Sequence, residues 1–362
     1  MDAWVTLLQA DPRPWLLASD EPAARWVALR ELLGRPDTDP EVVGAREAVL
    51  HDPLTAVLIS RLPDWELETE ATGHDSPKYA PNLLNLLADM GLRQGDSRKV
   101  DSLLEQFLRH QEESGRFQSY GRSGHGSVGQ MEAPVWGALL CDAHVIAEVL
   151  VRYGYAGDPR VQAALQRIAQ DQGETAQGEA WPCIPHTASG FRGPGRKADI
   201  CTMVTLEALR AFAWLPPEQR PAGALAGARV MTRAWLERGA EKPYMFGHGY
   251  SFKVVKWPTF WYGIYWVLDT LSRYPELWSG PAARAEDRQA VAELAACLVA
   301  YNFGPAVPLC DGTPGGGAAK AGRPGGGDPC GRCAKAGQLQ GRDLGDGRAE
   351  IRAGHPTGRP AR

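Results

Sequence analysis

The 362-residue chain lacks any apolar run approaching the ~18 to 20 residues that a membrane span requires. It also lacks a basic excess. With 39 Lys and Arg against 43 Asp and Glu, the net charge is −4, which excludes the broad basic face that nucleic-acid phosphates demand. The opening stretch MDAWVTLLQADPRPW has no basic segment leading into an apolar core, so no secretory signal is read there and the expected compartment is the cytoplasm. Cysteine is sparse: seven residues at irregular spacings fit reduced thiols or a metal site rather than a secreted disulfide framework. Beyond Phe303 there is no aromatic residue at all, only a stretch rich in Gly, Pro, Ala and Arg. Such a composition buries too little apolar area to offset its ordering entropy, and residues 304–362 are predicted to be a disordered tail. The lone Cys330/Cys333 pair in that tail carries no metal assignment by itself.

What remains, residues 1–303, is rich in helix patterns. In LLNLLADMGLRQGDSRKVDSLLEQFLRH, residues Val100, Leu103, Leu104, Phe107 and Leu108 fall on one helical face. Val161, Ala164, Leu165, Ile168 and Ala169 repeat that spacing in a second segment. Asp39, Asp96 and Asp158 stand where helix caps belong, with Pro40 and Pro159 at the first helical position. Before each amphipathic helix lies a segment apolar almost all round, such as APVWGALLCDAHVIAEVLV and DICTMVTLEALRAFAWL, as expected of a helix covered on every side. The steps between the capping aspartates are 57 and 62 residues, and five such units are visible. A period near 60 with two helices per unit predicts an all-α protein of about five to six helical hairpins. The contrast between inner and outer helices favours a closed α/α toroid, with an incomplete ring the variant, over a straight solenoid.

The connections between units are long, and loops of that length in a compact domain tend to be functional. Each carries one of His74, His125, His186 and His248 ahead of an inner helix, and the toroid predicts that all four lie on one rim. His125 and His248 sit in Gly-His-Gly turns and are candidate catalytic groups. So are Asp142 and His144, polar residues in an otherwise apolar helix. His74 with Trp136, Trp257, Trp261 and Tyr262 is a candidate binding set, in which Phe260 and Tyr265 extend an aromatic wall suited to an apolar or cationic guest. Glu132, Asp75 and Glu179 are further carboxylates in these loops.

QEESGRF, Gln111 to Phe117, resembles a degenerate Q-x-x-x-G-x-W motif, and DQGETAQGEAW is a looser copy. On these strings and on the period, the stretch from about Glu21 to Phe303 resembles the prenyltransferase and squalene-oxidase repeat proteins, the terpenoid cyclase-like α/α toroids. The resemblance implies a central cavity for an apolar small-molecule substrate. The Asp-x-Asp-Asp acid motif of the cyclases is absent, its nearest string being DTDP at Asp37 to Pro40. ADIC, with Asp199 and Cys201, resembles the Asp-x-Cys zinc pair of the protein prenyltransferases, and HGSVG at His125 resembles a turn of the zinc-dependent lanthionine-synthetase cyclases. With Cys183 and His186 close in sequence and His248 in the next long loop, this implies a zinc set drawn from Cys183, His186, Asp199 and Cys201, with His248 the alternative histidine, in which zinc would activate a thiol. Two classes of function follow: a terpenoid cyclase- or prenyltransferase-like enzyme assisted by zinc, and a non-catalytic protein that keeps the cavity and has lost the chemistry.

Overall fold

The computed structural model describes residues 5, 8, 10–67, 76, 78–121, 134–186, 190, 192–193, 195–240, 246–247, 249–255 and 263–302. The tail, His74, Asp75, His125, Glu132, His248, Trp257, Phe260, Trp261 and Tyr262 lie outside them, and so does the expectation that four histidines share a rim.

The described chain is mostly helical. Helices α1 (Arg13–Leu17) and α2 (Pro22–Val27) lead into a π-helical turn, Ala28–Leu32, and then into α3 (Pro40–Leu50) and α4 (Pro53–Ser60). Four hairpins follow, α5 (Ala80–Asp89) with α6 (Arg98–Arg109), α7 (Leu140–Arg152) with α8 (Pro159–Gln170), α9 (Thr202–Ala213) with α10 (Ala222–Leu236), and α12 (Ile264–Ser272) with α13 (Ala285–Asn302). The short α11 (Gly249–Lys253) precedes the last of them. Two antiparallel ribbons of three-residue strands complete the described elements, β1 (Ser119–Gly121) with β2 (Val135–Gly137) and β3 (Gly173–Thr175) with β4 (Gly178–Ala180). No described helix is long and apolar enough to cross a membrane.

Within each of the four hairpins the first helix is the more buried and is the inner one. All twelve residues of α9 and eleven of thirteen in α7 are buried, against four of twelve in α8 and four of eighteen in α13. Apolarity all round therefore marks helices with neighbours on every side, and a single stripe marks helices with one face in water. The inner helices pack in series, α5 on α7, α7 on α9 and α9 on α12, and one continuous core runs from Val49 to Cys297. Leu209 and Phe212, expected at its centre, are 0% and 1% exposed.

Local chemistry explains the helix starts. The Asp39 carboxylate accepts from the Glu41 amide and that of Asp158 from the Arg160 amide, each with proline at the first helical position. Asp96 is not a cap: Ser97 holds that place, and the Asp96 carboxylate instead takes the Arg93 amide and the Arg46 guanidinium. Helix α4 was not anticipated, although it starts with the same Asp-Pro signal. Asp52 accepts from Leu54 and Thr55 ahead of an apolar sequence with no stripe.

The glutamine motif has a visible purpose. Gln111 Nε2 donates to the Gly115 carbonyl within its own turn at 2.8 Å and to the Arg160 carbonyl at 2.7 Å, in the second residue of α8. Gln172 Nε2 likewise donates to the Gly223 carbonyl at 2.8 Å, in the second residue of α10, and to that of Glu179 at 3.3 Å. Both turns need glycine. Gly115 has φ +90° and its missing Cβ would stand 2.9 Å from the Ala163 carbonyl oxygen; Gly178 has φ +117° and faces Val230 at 3.1 Å. The aromatics closing the two motifs, Phe117 and Trp181, are wholly buried. A second repeated tie joins inner helices: Tyr153, just past α7, donates to the Leu84 carbonyl, and Tyr274, just past α12, donates to that of Leu209.

Candidate functional site

The N-terminal ends of α5, α7 and α9 bring together residues 60 and more apart in sequence. Tyr79 immediately precedes α5, Cys141 and Asp142 lie in the first turn of α7, and Cys201 immediately precedes α9. The segment after β4 is tied down on this end. The Cys201 amide donates to the Trp181 carbonyl at 3.0 Å, the Thr205 hydroxyl donates to the same carbonyl at 3.1 Å, and the Trp181 amide donates to Thr205 Oγ1 at 3.2 Å. Two residues past this anchor, Cys183 meets Cys201. The Gly193 amide donates to the Cys183 sulfur at 3.1 Å. Hydrogen bonding with Cys201 first, then that amide and the Arg192 charge, pull the Cys183 thiol down to about 6. Cys201 is correspondingly pushed well above the ordinary thiol range, by that same hydrogen bond and by burial. A half-buried thiolate that accepts hydrogen bonds is the reactive form of cysteine.

Acidic groups crowd the same end. Asp142 accepts from the Ser119 hydroxyl of β1 at 2.9 Å. Burial and the Asp142 charge raise the Tyr79 phenol and the Cys141 thiol well above their usual values. One and a half turns into α9, Glu207 is fully buried and its Oε2 has no hydrogen-bond partner among the described residues. Burial first, then Asp142 and Glu148, hold its carboxyl well above the usual range. His144 is buried neutral: burial lowers it to about 4, its Nδ1 lies 3.3 Å from the Val204 carbonyl, and its Nε2 meets no partner among the described residues. His186 is also buried, which lowers its pKa against the opposing pull of Asp142 and Glu112.

The sequence-derived zinc set is not brought together as one. Among the described residues no three His, Cys, Asp or Glu side chains form a group able to hold a metal ion. The physical reason is clearest at Asp199, whose carboxylate is taken by Arg196 Nε at 2.6 Å and Gln177 Nε2 at 3.2 Å. The thiol pair is the part of the set that does meet. Trp136 lies in β2 and stacks on His110 with ring centroids 3.6 Å apart, in an aromatic cluster with Trp65 and Tyr120. Glu179 is exposed on β4. Tyr79, Cys141 and Glu207 went unnoticed in sequence; a polar residue within an inner-helix pattern was their only signal.

The other end of the inner helices is built differently. Glu148 of α7 and Arg210 of α9 form a buried two-point ion pair at 2.6 and 3.0 Å. Trp214 Nε1 donates to Glu148 at 3.3 Å, Asn85 Nδ2 reaches it at 3.5 Å, and the Arg210 guanidinium lies 4.1 Å over Trp266. Arg152 pairs with Asp89, Arg273 with Asp269, and both guanidiniums also lie over Trp214. On the outside, a cleft of about 450 Å³ between the β3–β4 ribbon, α10 and α13 is lined by Arg229, Arg233 and Arg284 but also by Glu179, Glu237, Glu286 and Asp287. That balance of charge makes no anion site.

Compared with models of protein families, with curated proteins and with solved structures, the chain finds no match in any of the three.

Proposed function

We propose that the hairpins close into an α/α toroid of the terpenoid cyclase and prenyltransferase type, and that its reaction centre is the N-terminal end of the inner helices. There Cys183 is the nucleophile toward an electrophilic carbon of an apolar small molecule. The observation that carries this reading is the Cys183 sulfur, which accepts from the Gly193 amide at 3.1 Å and whose thiol is pulled down to about 6. The serial packing of four inner helices and the two glutamine ties support the toroid.

The acids decide between two chemistries. An alkene is protonated only by a strong acid, whereas burial makes Glu207 a weaker acid than an ordinary carboxyl. Glu207 therefore suits a departing group that takes a proton, not the start of a carbocation cascade. In the proposed step the Cys183 sulfur bonds to the electrophilic carbon, the bond to the leaving group breaks, and that group leaves with the electron pair and the Glu207 proton. Because the described donors do not form a metal site, no part of the step is routed through zinc.

The test is an allylic diphosphate, with released diphosphate and the intact mass of the protein as readouts. Release, or an alkyl adduct on Cys183, that is abolished in Cys183→Ser supports the reading. No release, together with iodoacetamide labelling at Cys183 no faster than at the buried Cys297, overturns it. In that case the non-catalytic cavity protein stands, a reading that the missing Asp-x-Asp-Asp motif favours.

A further inference from the structure

Among the described residues of α5 to α10 no large apolar side chain is exposed, yet α4 exposes two in its eight residues, Leu54 at 49% and Val57 at 44%. The helix reads PLTAVLIS and holds no charged residue. Its turn divides it into two sides. Thr55, Leu58 and Ile59 go to the core side, where α4 packs beside α3 and α5. Pro53, Leu54, Ala56 and Val57 are left exposed. Single apolar side chains scattered over a surface are ordinary, whereas a contiguous set on one side of one helix marks a docking surface.

Two opposite charges stand at the ends of this side. Asp52 caps the N-terminus, its Oδ2 accepting from the Leu54 and Thr55 amides at 3.0 and 3.2 Å, and Arg61 follows the last turn. They are separated by roughly 13 Å of helix axis, and neither forms an ion pair among the described residues. An uncharged stretch with a carboxylate at one end and a guanidinium at the other is complementary to itself turned end for end. Laid antiparallel about a two-fold axis near Ala56 and Val57, a second copy sets the partner's Arg61 beside Asp52 and the partner's Asp52 beside Arg61. The helix dipoles then oppose favourably as well. A partner of a single charge sign would meet just one of the two ends.

We propose that α4 is a self-docking surface, through which two copies of this chain associate as an antiparallel two-fold pair. A contact one short helix long lies below the ~1,200 Å² of stable complexes, so the pair is transient and forms at high concentration. Neither the toroid nor the thiol chemistry is needed for it.

Sedimentation equilibrium of the full chain, kept reduced with dithiothreitol, over about 10 to 500 µM measures the association. A monomer–dimer equilibrium is expected, without larger species, because a two-fold contact closes on itself. Val57→Glu brings two like charges to the axis and should raise the dimer Kd by about tenfold or more. Arg61→Asp sets a carboxylate against the partner's Asp52 and should weaken the dimer in the same direction at low salt, whereas Arg61→Lys should keep it. Both positions are exposed, so each variant should hold the wild-type thermal midpoint. If Val57→Glu fails that check, Arg61→Asp compared with Arg61→Lys decides. A chain that is monomeric at every concentration, a dimer indifferent to either substitution, or open-ended oligomers overturns the proposal. So does Val57-dependent binding of the monomer to phosphatidylcholine vesicles, which would make the surface a lipid contact.

Discussion

The two ends of the inner helices carry similar numbers of ionisable groups and treat them in opposite ways. Toward the C-terminal ends, Glu148 faces Arg210, Asp89 faces Arg152 and Asp269 faces Arg273, and the guanidiniums lie on Trp214 and Trp266. Toward the N-terminal ends, Asp142, Glu207, Cys141, Cys183 and Tyr79 crowd groups of one sign, and proton affinities are driven apart. Oppositely charged pairs in a low-dielectric interior hold a structure in register, whereas burying acids side by side raises their proton affinity, as at Tyr79, Cys141 and Glu207. One end is braced by ion pairs, and the other is the end at which the chemistry is proposed.

Breaking the paired end should have the largest effect. Arg210→Met leaves the Glu148 carboxylate buried without its partner and is expected to cost about 3–5 kcal/mol in urea unfolding. Adding Glu148→Leu to that variant should recover most of the loss. If the double variant is no better than the single one, the pair is not what closes that end.

Acid should then expose the other end. His144 has an ordinary value of 6.5 and a folded value of about 4, so above pH 6.5 it is neutral in both states and contributes nothing. As pH falls below 6.5 the unfolded chain takes up the proton first, and stability drains until about pH 4, by about 3 kcal/mol at most. His144→Gln should flatten that limb of the pH–stability curve, whereas an unchanged slope would show that other groups cause it.

Smaller still, Gly178→Ala places a Cβ at a positive φ against Val230 and should cost roughly 1–3 kcal/mol, read as a lower thermal midpoint. At the reactive end, Glu207→Gln should stabilise. Glu207 keeps its proton when folded and loses it when unfolded, so the wild-type chain loses stability as pH rises above 4.5, the ordinary value. The gain should be present at pH 7 and vanish below that window. The finest probe is kinetic: iodoacetamide labelling of Cys183 should rise with pH and level off just above about 6.

Periodicity carried the helices well. The Val100-to-Leu108 stripe and the all-apolar segments of α7 and α9 reported directly how much of each helix meets water, and the structure repeats that distinction. Asp52 and Pro53 gave the same start signal as Asp39 and Pro40, yet PLTAVLIS has no stripe to confirm a helix, so α4 stayed hidden. Three-residue strands are too short for alternation to show. At the site, Cys183, Cys201 and Asp142 were legible because they sit in a long loop or at an inner-helix start. Glu148 and Arg210 were not, since no local spacing pairs residues 62 apart. The zinc expectation missed a nearer clue: Arg196 stands three residues before Asp199 and takes its carboxylate.

The glutamine ties also impose a direction on the chain. Each amide waits in the turn after one outer helix, and its target is a carbonyl in the second residue of the next. A hairpin thus carries the glutamine fastener for its successor, while the tyrosine ties reach back, from Tyr153 to Leu84 and from Tyr274 to Leu209. During synthesis, Gln111 with its glycine turn is already in place when α8 emerges, and Gln172 when α10 does. Assembly can proceed vectorially, each nascent hairpin docking on the one that left the ribosome before it, with no need to wait for the C-terminal helices.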